Sequence, residues 1–496
     1  MKKIYAFLMM ALLATTLFAQ NFVVSPLQLN GSPLQLMGED MSQNRQYVAG
    51  NDQGLSSPFI WNTQNNEVMV VVVRDSAWRE YDDGSGFMEY VMMNGSFHAV
   101  NNNGVAVGGL TDAEYVSHPI MATFNANGDF TYLYADPADA GCEAYDISAD
   151  GSVIVGFYFD NDWTTYACIW NADGSVRTNL PTPTAEQVGF EIDYASARWI
   201  SDDASTILGY VQDFNTGAWV AVAWKLVNGQ YEVLPLANDY FQTTYFDDNG
   251  NFISGDNPYF EFTPTALSAN GEWVALNILE AYDPTDWEAV VTPKVACLNL
   301  NTSALQILDL NDPCESIEAF GVADNGTCAG RFTGELDWNT MEQEVFGFIW
   351  YPGETLNMLR IDTAYRDDAY CNSIEASGLS AISADGNYAM GYATSANGEW
   401  TTFIMTLPTE QPVGINDVEA HVALYPNPAT TQVNVSVDNT IRTVNVVNAM
   451  GQVVMSQNGN NSNMVTVNTQ NLPAGVYFVN VITDNGQATK RFTIVK

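Results

Sequence analysis

Short apolar strands separated by glycine-containing polar turns recur through residues 20–408. Each unit reads as an apolar strand, a Ser-Ala-Asp-Gly-type turn, a strand ending in glycine, a variable polar loop, and a strand that often ends in tryptophan. The copies are Ile147–Gly156, Ile382–Gly391, Met41–Gly50, Val100–Gly108, Ile200–Gly209, Leu267–Leu276 and Val322–Gly330. Their last residues are 50, 108, 156, 209, 276, 330 and 391, so consecutive copies end 48 to 67 residues apart. Such spacing predicts a repeat architecture.

The repeat unit favours a β-propeller, and its helical alternatives lack the necessary 3.6-residue period. Asp-Gly and Asn-Gly supply the positive φ that tight hairpins require. A lone four-stranded sheet leaves one apolar face in water, whereas several sheets around an axis cover one another. We therefore predict an all-β chain with about seven blades. Six or eight blades remain open, because Phe246–Gly255 resembles a further copy and is either an added hairpin or an eighth blade.

The last copy predicts how the ring closes. Its strands fall near residues 379–383, 387–393 and 401–407, and a fourth strand is missing before Pro408. Residues 21–29 are strand-like and belong to no copy. We expect them to pair with 401–407, because this pairing completes the last blade and covers an open edge.

The two ends of the chain differ from the repeats. Lys2 and Lys3 precede the apolar run Ile4–Phe18, and Ala19 precedes Gln20, so residues 1–19 are predicted to be a secretory signal peptide. No later apolar run reaches the roughly 18 residues of a membrane-spanning helix. Residues 409–420 are predicted to be a linker, and residues 421–496 a small β-sandwich of immunoglobulin type built from β-branched runs.

The last 76 residues resemble the type A C-terminal sorting domain of the type IX secretion system of Bacteroidetes-type bacteria. The resemblance is carried by Leu424–Ala429, Asn448–Val453, Leu472–Tyr477 and Lys490–Lys496. Within these segments the motif residues are Pro426, Asn427, Pro428, Gly451, Gly475, Tyr477 and Lys490. The body loosely resembles propeller repeats with a Ser-x-Asp-Gly turn in secreted bacterial proteins.

The resemblance implies an address and a partner. Sec export would be followed by passage through the outer membrane, with the type IX machinery as the partner of the sorting domain. In that family the sorting domain is typically removed. The cargo is then released or attached to lipopolysaccharide, so we expect a secreted or outer-surface location.

Charge excludes some ligands. The chain has 58 acids and 16 bases, a net charge of −42. Residues 417–496 hold four of each and the signal peptide holds two lysines, which leaves 54 acids and 10 bases in the body. Such a surface repels phosphate backbones and anionic lipid, so we expect no nucleic-acid partner. Neutral and cationic ligands remain open, and so does a surface whose acidity serves only solubility.

Cysteine and histidine give no catalytic signature. The six cysteines allow 15 pairings, and no Cys-x-x-Cys occurs. His98 and His118 are expected in blade 2 as structural residues, and no His-Glu-x-x-His, Gly-x-Ser-x-Gly or P-loop pattern is present. We therefore predict no catalytic residue, no metal site and no cofactor. Ca²⁺ is kept only as a weak alternative, because no Asp-x-Asp-x-Asp-Gly loop occurs.

The loops after the second strands carry an acid next to an aromatic residue. A ring beside a carboxylate can stack on a sugar or anchor a protein interface. The alternative is that each tryptophan starts the third strand and packs between blades, because a residue recurring once per repeat is usually a packing device. The candidate ligand-binding residues are Asp160, Asp162, Trp163, Asp286, Trp287, Asp337, Trp338, Glu399 and Trp400.

Three functional hypotheses follow. The favoured one is a secreted or surface propeller that binds a glycan or a protein without catalysis. The second is a hydrolase acting on polysaccharide or peptide through paired carboxylates, which requires a deep axial pocket lined by convergent acids. The third is a structural component of a surface layer or matrix.

Overall fold

The computed structural model describes most of the chain after residue 21. It covers residues 22–29, 31–80, 85–125, 127–212, 219–236, 259–281, 291–308, 310, 314–337, 341, 343–352, 358–365, 368–395, 397–408, 423–448, 453–483 and 486–496. Two compact units are present, one within Met1–Thr409 and the other within Glu410–Lys496. No helix in these ranges is both long and apolar enough to cross a membrane.

The first unit is made almost entirely of short strands. In chain order they begin with β1 Phe22–Val24, β2 Gln28–Leu29, β3 Ser32–Pro33, β4 Leu36–Met41, β5 Tyr47–Asp52, β6 Ser57–Asn62, β7 Glu67–Val70, β8 Arg74–Glu80, β9 Gly86–Met92, β10 Asn94–Val100, β11 Val105–Thr111, β12 Ser117–Thr123 and β13 Thr131–Tyr132. They continue with β14 Gly141–Ile147, β15 Val153–Phe159, β16 Thr165–Asn171, β17 Arg177–Asn179, β18 Tyr194–Ile200, β19 Thr206–Gln212, β20 Trp219–Val227 and β21 Gln230–Pro235.

The second half of this unit follows the same pattern. Its strands are β22 Tyr259–Leu267, β23 Trp273–Ala281, β24 Val291–Asn299, β25 Leu305–Leu308, β26 Cys314–Val322, β27 Cys328–Gly334, β28 Val345–Trp350, β29 Met358–Arg360, β30 Ile374–Ile382, β31 Tyr388–Ser395 and β32 Trp400–Thr406. Three short helical turns interrupt the described strands: α1 Ala185–Val188, α2 Ile361–Ala364 and a 3₁₀ turn at Cys371–Ser373.

Seven four-stranded antiparallel sheets confirm the seven-bladed propeller. Blades 1 to 6 are β4–β7, β10–β13, β14–β17, β18–β21, β22–β25 and β26–β29, and blade 7 is β30–β32 with β1. All seven sequence copies are the hairpins formed by the first and second strands of a blade. Two hairpins, β2–β3 and β8–β9, stand outside these sheets. The extra copy at Phe246–Gly255 lies outside the described residues.

The predicted ring closure is confirmed. Phe22 pairs with Met405 and Val24 with Phe403, so β1 forms the outer strand of blade 7. The paired segment is shorter than residues 21–29. Phe22 is buried and its ring packs on Phe403, Tyr365 and Tyr370. Strand β1 therefore completes blade 7, and the apolar contacts of Phe22 stabilise the ring closure.

The Ser-x-Asp-Gly sequences form turns for an identifiable reason. In blade 3, Ser148 Oγ donates to Asp150 Oδ1 and accepts from the N–H of Val153, while Gly151 has φ +76°. The short side chains thus satisfy turn groups that have no strand partner. Adjacent turns are also joined around the ring. These bonds run from Ala384 to Gln43, Asn44 to Asn102, Ala149 to Asp202, Asp202 to Ala269, Asn270 to Asp324, and Asp324 to Ala384.

The tryptophans that end the third strands are core residues. Trp61, Trp170 and Trp224 are completely buried, and Trp350 nearly so. Trp170 Nε1 donates to the carbonyl of Tyr134 at 2.8 Å, and Trp224 Nε1 to that of Pro181 at 2.7 Å. Each indole therefore fills a blade and fixes a neighbouring connection at once.

The second unit is a near-closed sheet around its own core. Its strands are β33 Ala423–Tyr425, β34 Gln432–Asn448, β35 Val453–Asn468, β36 Gly475–Thr483 and β37 Gly486–Ile494. The order is β33-β34-β36-β37, and β35 pairs with β34. Ala429 bridges to Ile494, which brings the start of the unit against its last strand. The core contains Val433, Val444, Val479 and Phe492, consistent with the β-branched runs of the sequence.

Candidate functional site

The predicted acid–aromatic loops do not share one geometry. Trp163 lies at a loop tip with φ +67° and is 71 % exposed. Trp400 begins β32, is half-buried, and contacts the Tyr392 ring at a centroid distance of 5.7 Å. The position equivalent to Trp163 in blade 7 is Gly398, φ +75°. The two tryptophans therefore stand two residues apart relative to the turn, although each follows an acid in the sequence.

The acids of these loops divide between turn-building and exposed positions. Asp160 Oδ1 accepts from the N–H groups of Asp162 and Thr164, and in blade 2 Asp112 Oδ1 does the same for Glu114 and Val116. These first acids shape the loop. Asp162, Asp337 and Glu399 are exposed. Asp286, Trp287 and Trp338 lie outside the described residues, and a ligand role for the whole set stays a prediction.

A cavity of about 640 Å³ occupies the axis of the ring. All seven innermost strands line it, mainly with residues from their second halves and from the turns that follow. In blade 3, Gly141 at the start of β14 pairs with Phe159 at the end of β15. The loop that carries Trp163 follows β15, so it lies at the opposite end of β14 from the cavity-lining turn that follows Ile147. The axial cavity and the predicted loops are therefore different places on the propeller.

Every innermost strand has a β-bulge at the same level. The bulge shifts the register between Ala144 and Asp146 in blade 3 and at the equivalent point of each other blade. An extra residue re-aims its side chain, and all seven of these residues line the cavity. They are Glu39, His98, Tyr145, Arg198, Thr265, Phe320 and Ser380. The bulged residues of blades 1 to 4 are all ionisable, and those of blades 5 to 7, here called the neutral arc, are uncharged.

His98 joins three blades through two carboxylates. Its Nδ1 lies 2.6 Å from Glu39 Oε2 of blade 1, and its Nε2 lies 2.9 Å from Glu143 Oε1 of blade 3. Burial alone would lower the pKa of His98, but the hydrogen bonds and charges of Glu143 and Glu39 raise it to about 9. The imidazolium therefore keeps both ring protons at neutral pH, and both are used in these contacts.

Arg198 lies in a nest of aromatic rings. Its guanidinium stands 3.8 Å from the centroid of Tyr145, and Nη2 donates to Tyr194 Oη at 2.9 Å and to Tyr210 Oη at 3.2 Å. Among the described residues no carboxylate forms an ion pair with it, and buried Nε has no acceptor. Tyr145 also stacks on His98. The cation is therefore held by rings and hydroxyls, with donor capacity left over.

Three carboxyl groups occupy the turn side of the bulge ring. Asp40 Oδ2 accepts from Val100 N–H and Asp146 Oδ2 from Ile200 N–H, each across to the next blade at 2.8 Å. Burial raises the pKa of Asp40 to about 6. Burial, and then the charge of Asp40, holds the pKa of Asp146 well above its usual value. Burial and then Asp324 raise the pKa of Asp202 to about 6.

Sequence reasoning missed this site although a signal was present. In all seven copies the bulged residue stands two places before the first residue of the repeat, as Tyr145 does before Ile147. Both histidines do lie in blade 2, as predicted. His98 faces the axis, and His118 contacts Asp112 at 2.8 Å. A comparison of the copies at this one position would have shown that five of the seven residues are ionisable or aromatic.

The described part of the chain holds no cluster of metal ligands and no formed disulfide. No three His, Cys, Asp or Glu side chains there are grouped as metal ligands. All six cysteines are unpaired, and five of them are buried. The Ca²⁺ alternative has no test in these observations and stays a prediction.

The residues of the sorting motif hold the second unit together. The peptide bonds before Pro426 and Pro428 are both cis, and Asn427 Oδ1 accepts from Thr493 N–H at 3.0 Å. Tyr477 is buried and donates to the Pro473 carbonyl at 3.1 Å. Gly475 begins β36, and Lys490 is exposed on β37. Gly451 lies outside the described residues.

Solved structures similar to the chain share low sequence identity with it. They include hydrazine synthase of Kuenenia stuttgartiensis, with 11 % identity, TM-score 0.41, and coverage of 76 % of this chain and 99 % of that one. The β-propeller domain of the Trilobed protease from Pyrococcus furiosus has 12 % identity, TM-score 0.36, and coverage of 80 % and 99 %. A putative TolB from Agrobacterium tumefaciens has 14 % identity, TM-score 0.34, and coverage of 55 % and 81 %. At these values none bears on what the chain binds.

No curated protein matches the chain in sequence. A family model does match one part of it. Residues 423–495 match the secretion system C-terminal sorting domain, the family expected from the sequence motifs. The chain is therefore a seven-bladed β-propeller that carries a C-terminal sorting domain of the type IX secretion system, and this domain marks it for export to the cell surface or beyond.

Proposed function

We propose that the exported propeller is a binding protein and that its ligand occupies the axial cavity. The observation that carries this proposal is the ring of seven bulges, one per blade, each turning a side chain into one space. Ring stability needs the strands but does not need seven different side chains at the bulge. A volume of about 640 Å³ also falls within the range of small-molecule sites.

The lining favours a neutral or amine-bearing ligand. Its charged members are the acids Glu39, Asp40, Asp146 and Asp202 and the bases His98 and Arg198. Four acids against two bases, inside an acidic body, disfavour anions. The cavity offers phenol and guanidinium donors as well as carboxyl acceptors. A hydroxyl group of the ligand can accept a hydrogen bond from the donors and donate one to the acceptors. A saccharide group, neutral or amino-bearing, therefore fits this chemistry, with Phe320 and the neutral arc against its apolar face.

The state of His98 supports binding without catalysis. A general base needs a free nitrogen and a pKa near the working pH. Both nitrogens of His98 contact carboxylates, and its pKa of about 9 keeps it protonated. Its role in this proposal is to hold Glu39 and Glu143 in place across three blades.

A glycan array probed with the exported full chain tests the proposal. The informative variants are Arg198→Met and Tyr210→Phe in the cavity, with Trp163→Ala as the matched control in the exposed loop. We expect each cavity variant to weaken binding of the hit glycan at least tenfold and the loop variant to leave it unchanged. Loss of binding only in Trp163→Ala would instead place the ligand on the loops, and a hit on a peptide array alone would replace the saccharide by a protein ligand.

A hydrolase remains the second candidate because acids do converge on the axis. The raised pKa of Asp40 and of Asp146 would leave one carboxyl protonated in mildly acidic solution, as a general acid requires. Incubation of the hit glycan with the chain at pH 5 to 7, followed by mass spectrometry, separates the two candidates. Cleavage that is abolished by Asp146→Asn while binding persists would establish catalysis, and an intact glycan after prolonged incubation supports binding alone.

A further inference from the structure

Two cysteine thiols meet between blades 5 and 6. Cys297 lies on β24, the third strand of blade 5, and Cys328 begins β27, the second strand of blade 6. Both side chains are completely buried and belong to one apolar cluster. Each Sγ donates to the same carbonyl oxygen, that of Gly326, at 3.4 Å. The two sulfur atoms therefore border a single oxygen atom from two different blades.

Among the described residues, the other cysteines share no hydrogen-bond acceptor. Cys142 and Cys168 are also neighbours, since their thiols interact electrostatically with each other and with Arg177. Cys142 Sγ contacts Arg177 Nη1 at 3.2 Å and Asp139 Oδ2 at 3.4 Å, and Cys371 Sγ points to the Ile361 carbonyl at 3.6 Å. Cys168 is buried within blade 3, and Cys314 is half-buried at the start of β26. Within the described residues only Cys297 and Cys328 share an acceptor, so the geometry selects this pair from the 15 pairings that six cysteines allow.

We propose that Cys297 and Cys328 become joined by a disulfide as the exported chain folds. The sorting domain sends the chain through a compartment where disulfides form and persist. In the reaction both S–H bonds break and one S–S bond forms. Two electrons and two protons pass to the disulfide of a thiol oxidoreductase, which leaves as a dithiol. This proposal does not depend on the ligand of the axial cavity.

Burial determines when the bond forms. Burial, and then the neighbouring Cys297 thiol, holds the pKa of Cys328 well above its usual value, so little thiolate is available in the closed ring. Attack on an external disulfide must therefore precede blade docking. Once formed, the bond closes a loop of about 30 residues and adds a covalent link between two blades that otherwise meet through side-chain packing and hydrogen bonds such as that from Asn270 to Asp324.

Peptide mapping of the exported full chain tests the proposal directly. The protein is denatured without reductant, free thiols are alkylated, and the chain is digested. Trypsin alone is insufficient, because Lys294 and Arg331 enclose Cys297, Cys314 and Cys328 in one peptide. A second cleavage after Asp309, Glu315 and Asp324 separates the three. We expect a cross-linked Cys297–Cys328 product, lighter by two hydrogen atoms than its reduced parts, with Cys314 alkylated.

The same chain made without its leader in a reducing cytosol is the matched control, and there both thiols should carry the label. Label on both Cys297 and Cys328 in the exported protein, or a cross-link between other cysteines, would overturn the proposal. Variants provide a second measurement. Cys297→Ala, Cys328→Ala and the double variant should lower the melting temperature equally, because each removes one and the same bond. Additive losses would show two independently packed thiols. Cys371→Ala is the control for loss of an unpaired buried thiol.

Discussion

The axial cavity and the loops between second and third strands repeat in opposite ways. At the cavity the backbone repeats, with a bulge in every blade, while the residue changes from Glu39 through His98 to Arg198. In the loops the residue type recurs, but the geometry changes between the tip position of Trp163 and the strand position of Trp400. A recurring residue in a repeat protein mostly packs. A position at which the backbone geometry repeats while the residue type varies is the better indicator of a functional site.

The largest expected effect concerns recurring tryptophans in the core. Trp170→Ala should lower the free energy of unfolding by about 3 to 5 kcal/mol, because it empties a fully buried position and frees the Tyr134 carbonyl. Trp163→Ala, the matched exposed residue, should change it by about 0.5 kcal/mol. Guanidinium denaturation followed by circular dichroism measures both. Equal losses would mean that the comparison between packing and exposed tryptophans fails.

The next effect belongs to the ionic cross-link of the cavity. His98 has a folded pKa of about 9 against an ordinary 6.5, so its contribution is complete below pH 6.5 and disappears as the pH rises through 9. His98→Gln should therefore cost about 2 to 3 kcal/mol at pH 6 and almost nothing near pH 10. His118→Gln, with one carboxylate partner and a 35 % exposed side chain, should cost less. A pH-independent cost at His98 would contradict the ion-pair description.

A smaller effect of opposite sign is expected at Asp40. Its folded pKa of about 6 exceeds the ordinary 3.8, so the folded state binds the proton more tightly than the unfolded state does. The free energy of unfolding therefore falls as the pH rises from 3.8 to 6. Asp40→Asn should raise the free energy of unfolding by about 1 to 2 kcal/mol at pH 7.5 and change it little at pH 3.5.

Asp203→Asn is the matched control for that measurement. Asp203 lies in an exposed turn, where hydrogen bonds from Ser205 and Ser201 outweigh burial and lower its pKa, so its loss should destabilise. Destabilisation at both sites would show that Asp40 is an ordinary structural acid. Stabilisation at Asp40 alone would mark a strained carboxyl maintained for function.

The smallest effect tests the loop acids. Asp160→Ala removes the acceptor of the N–H groups of Asp162 and Thr164 and should cost about 0.5 to 1 kcal/mol of stability. Binding of the hit glycan should remain unchanged. Asp162→Ala, whose side chain is exposed, should change neither quantity. Loss of glycan binding in the Asp160→Ala and Asp162→Ala variants would instead identify the loops as the ligand site.

The fold followed from local rules that can be read in the chain. Asp-Gly turns, alternating apolar positions and one unassigned strand at residues 21–29 predicted about seven blades and the pairing of 21–29 with 401–407, which the structure has between Phe22–Val24 and β32. The sorting motif predicted the family of residues 423–495. The hairpins and the sorting motif depend on short-range backbone preferences and on burial of one strand face, so neighbouring residues carry the information. The closing pair spans the whole ring and was predicted from the count of strands in the last repeat.

The site was predicted less well from the sequence, because side chains from different blades form it. Glu39, His98 and Glu143 are separated by 59 and 45 positions along the chain, yet their side chains touch. The register of the bulge decides which residue faces the axis, and a shift of one position changes the face. The loop tryptophans differ in position for a related reason, since sequence spacing does not fix which residue adopts the positive φ.

The sequence by itself predicted the hairpins, the turns and the sorting domain, because each depends on near neighbours or on a short motif, and it predicted the closing strand because one strand lacked a repeat and one repeat lacked a strand. Tertiary structure alone decided that seven bulged residues share one cavity, that His98 is clamped between two carboxylates, and that Cys297 meets Cys328. Closing a ring brings together residues from distant repeats, and no local preference in the sequence records which of them will meet.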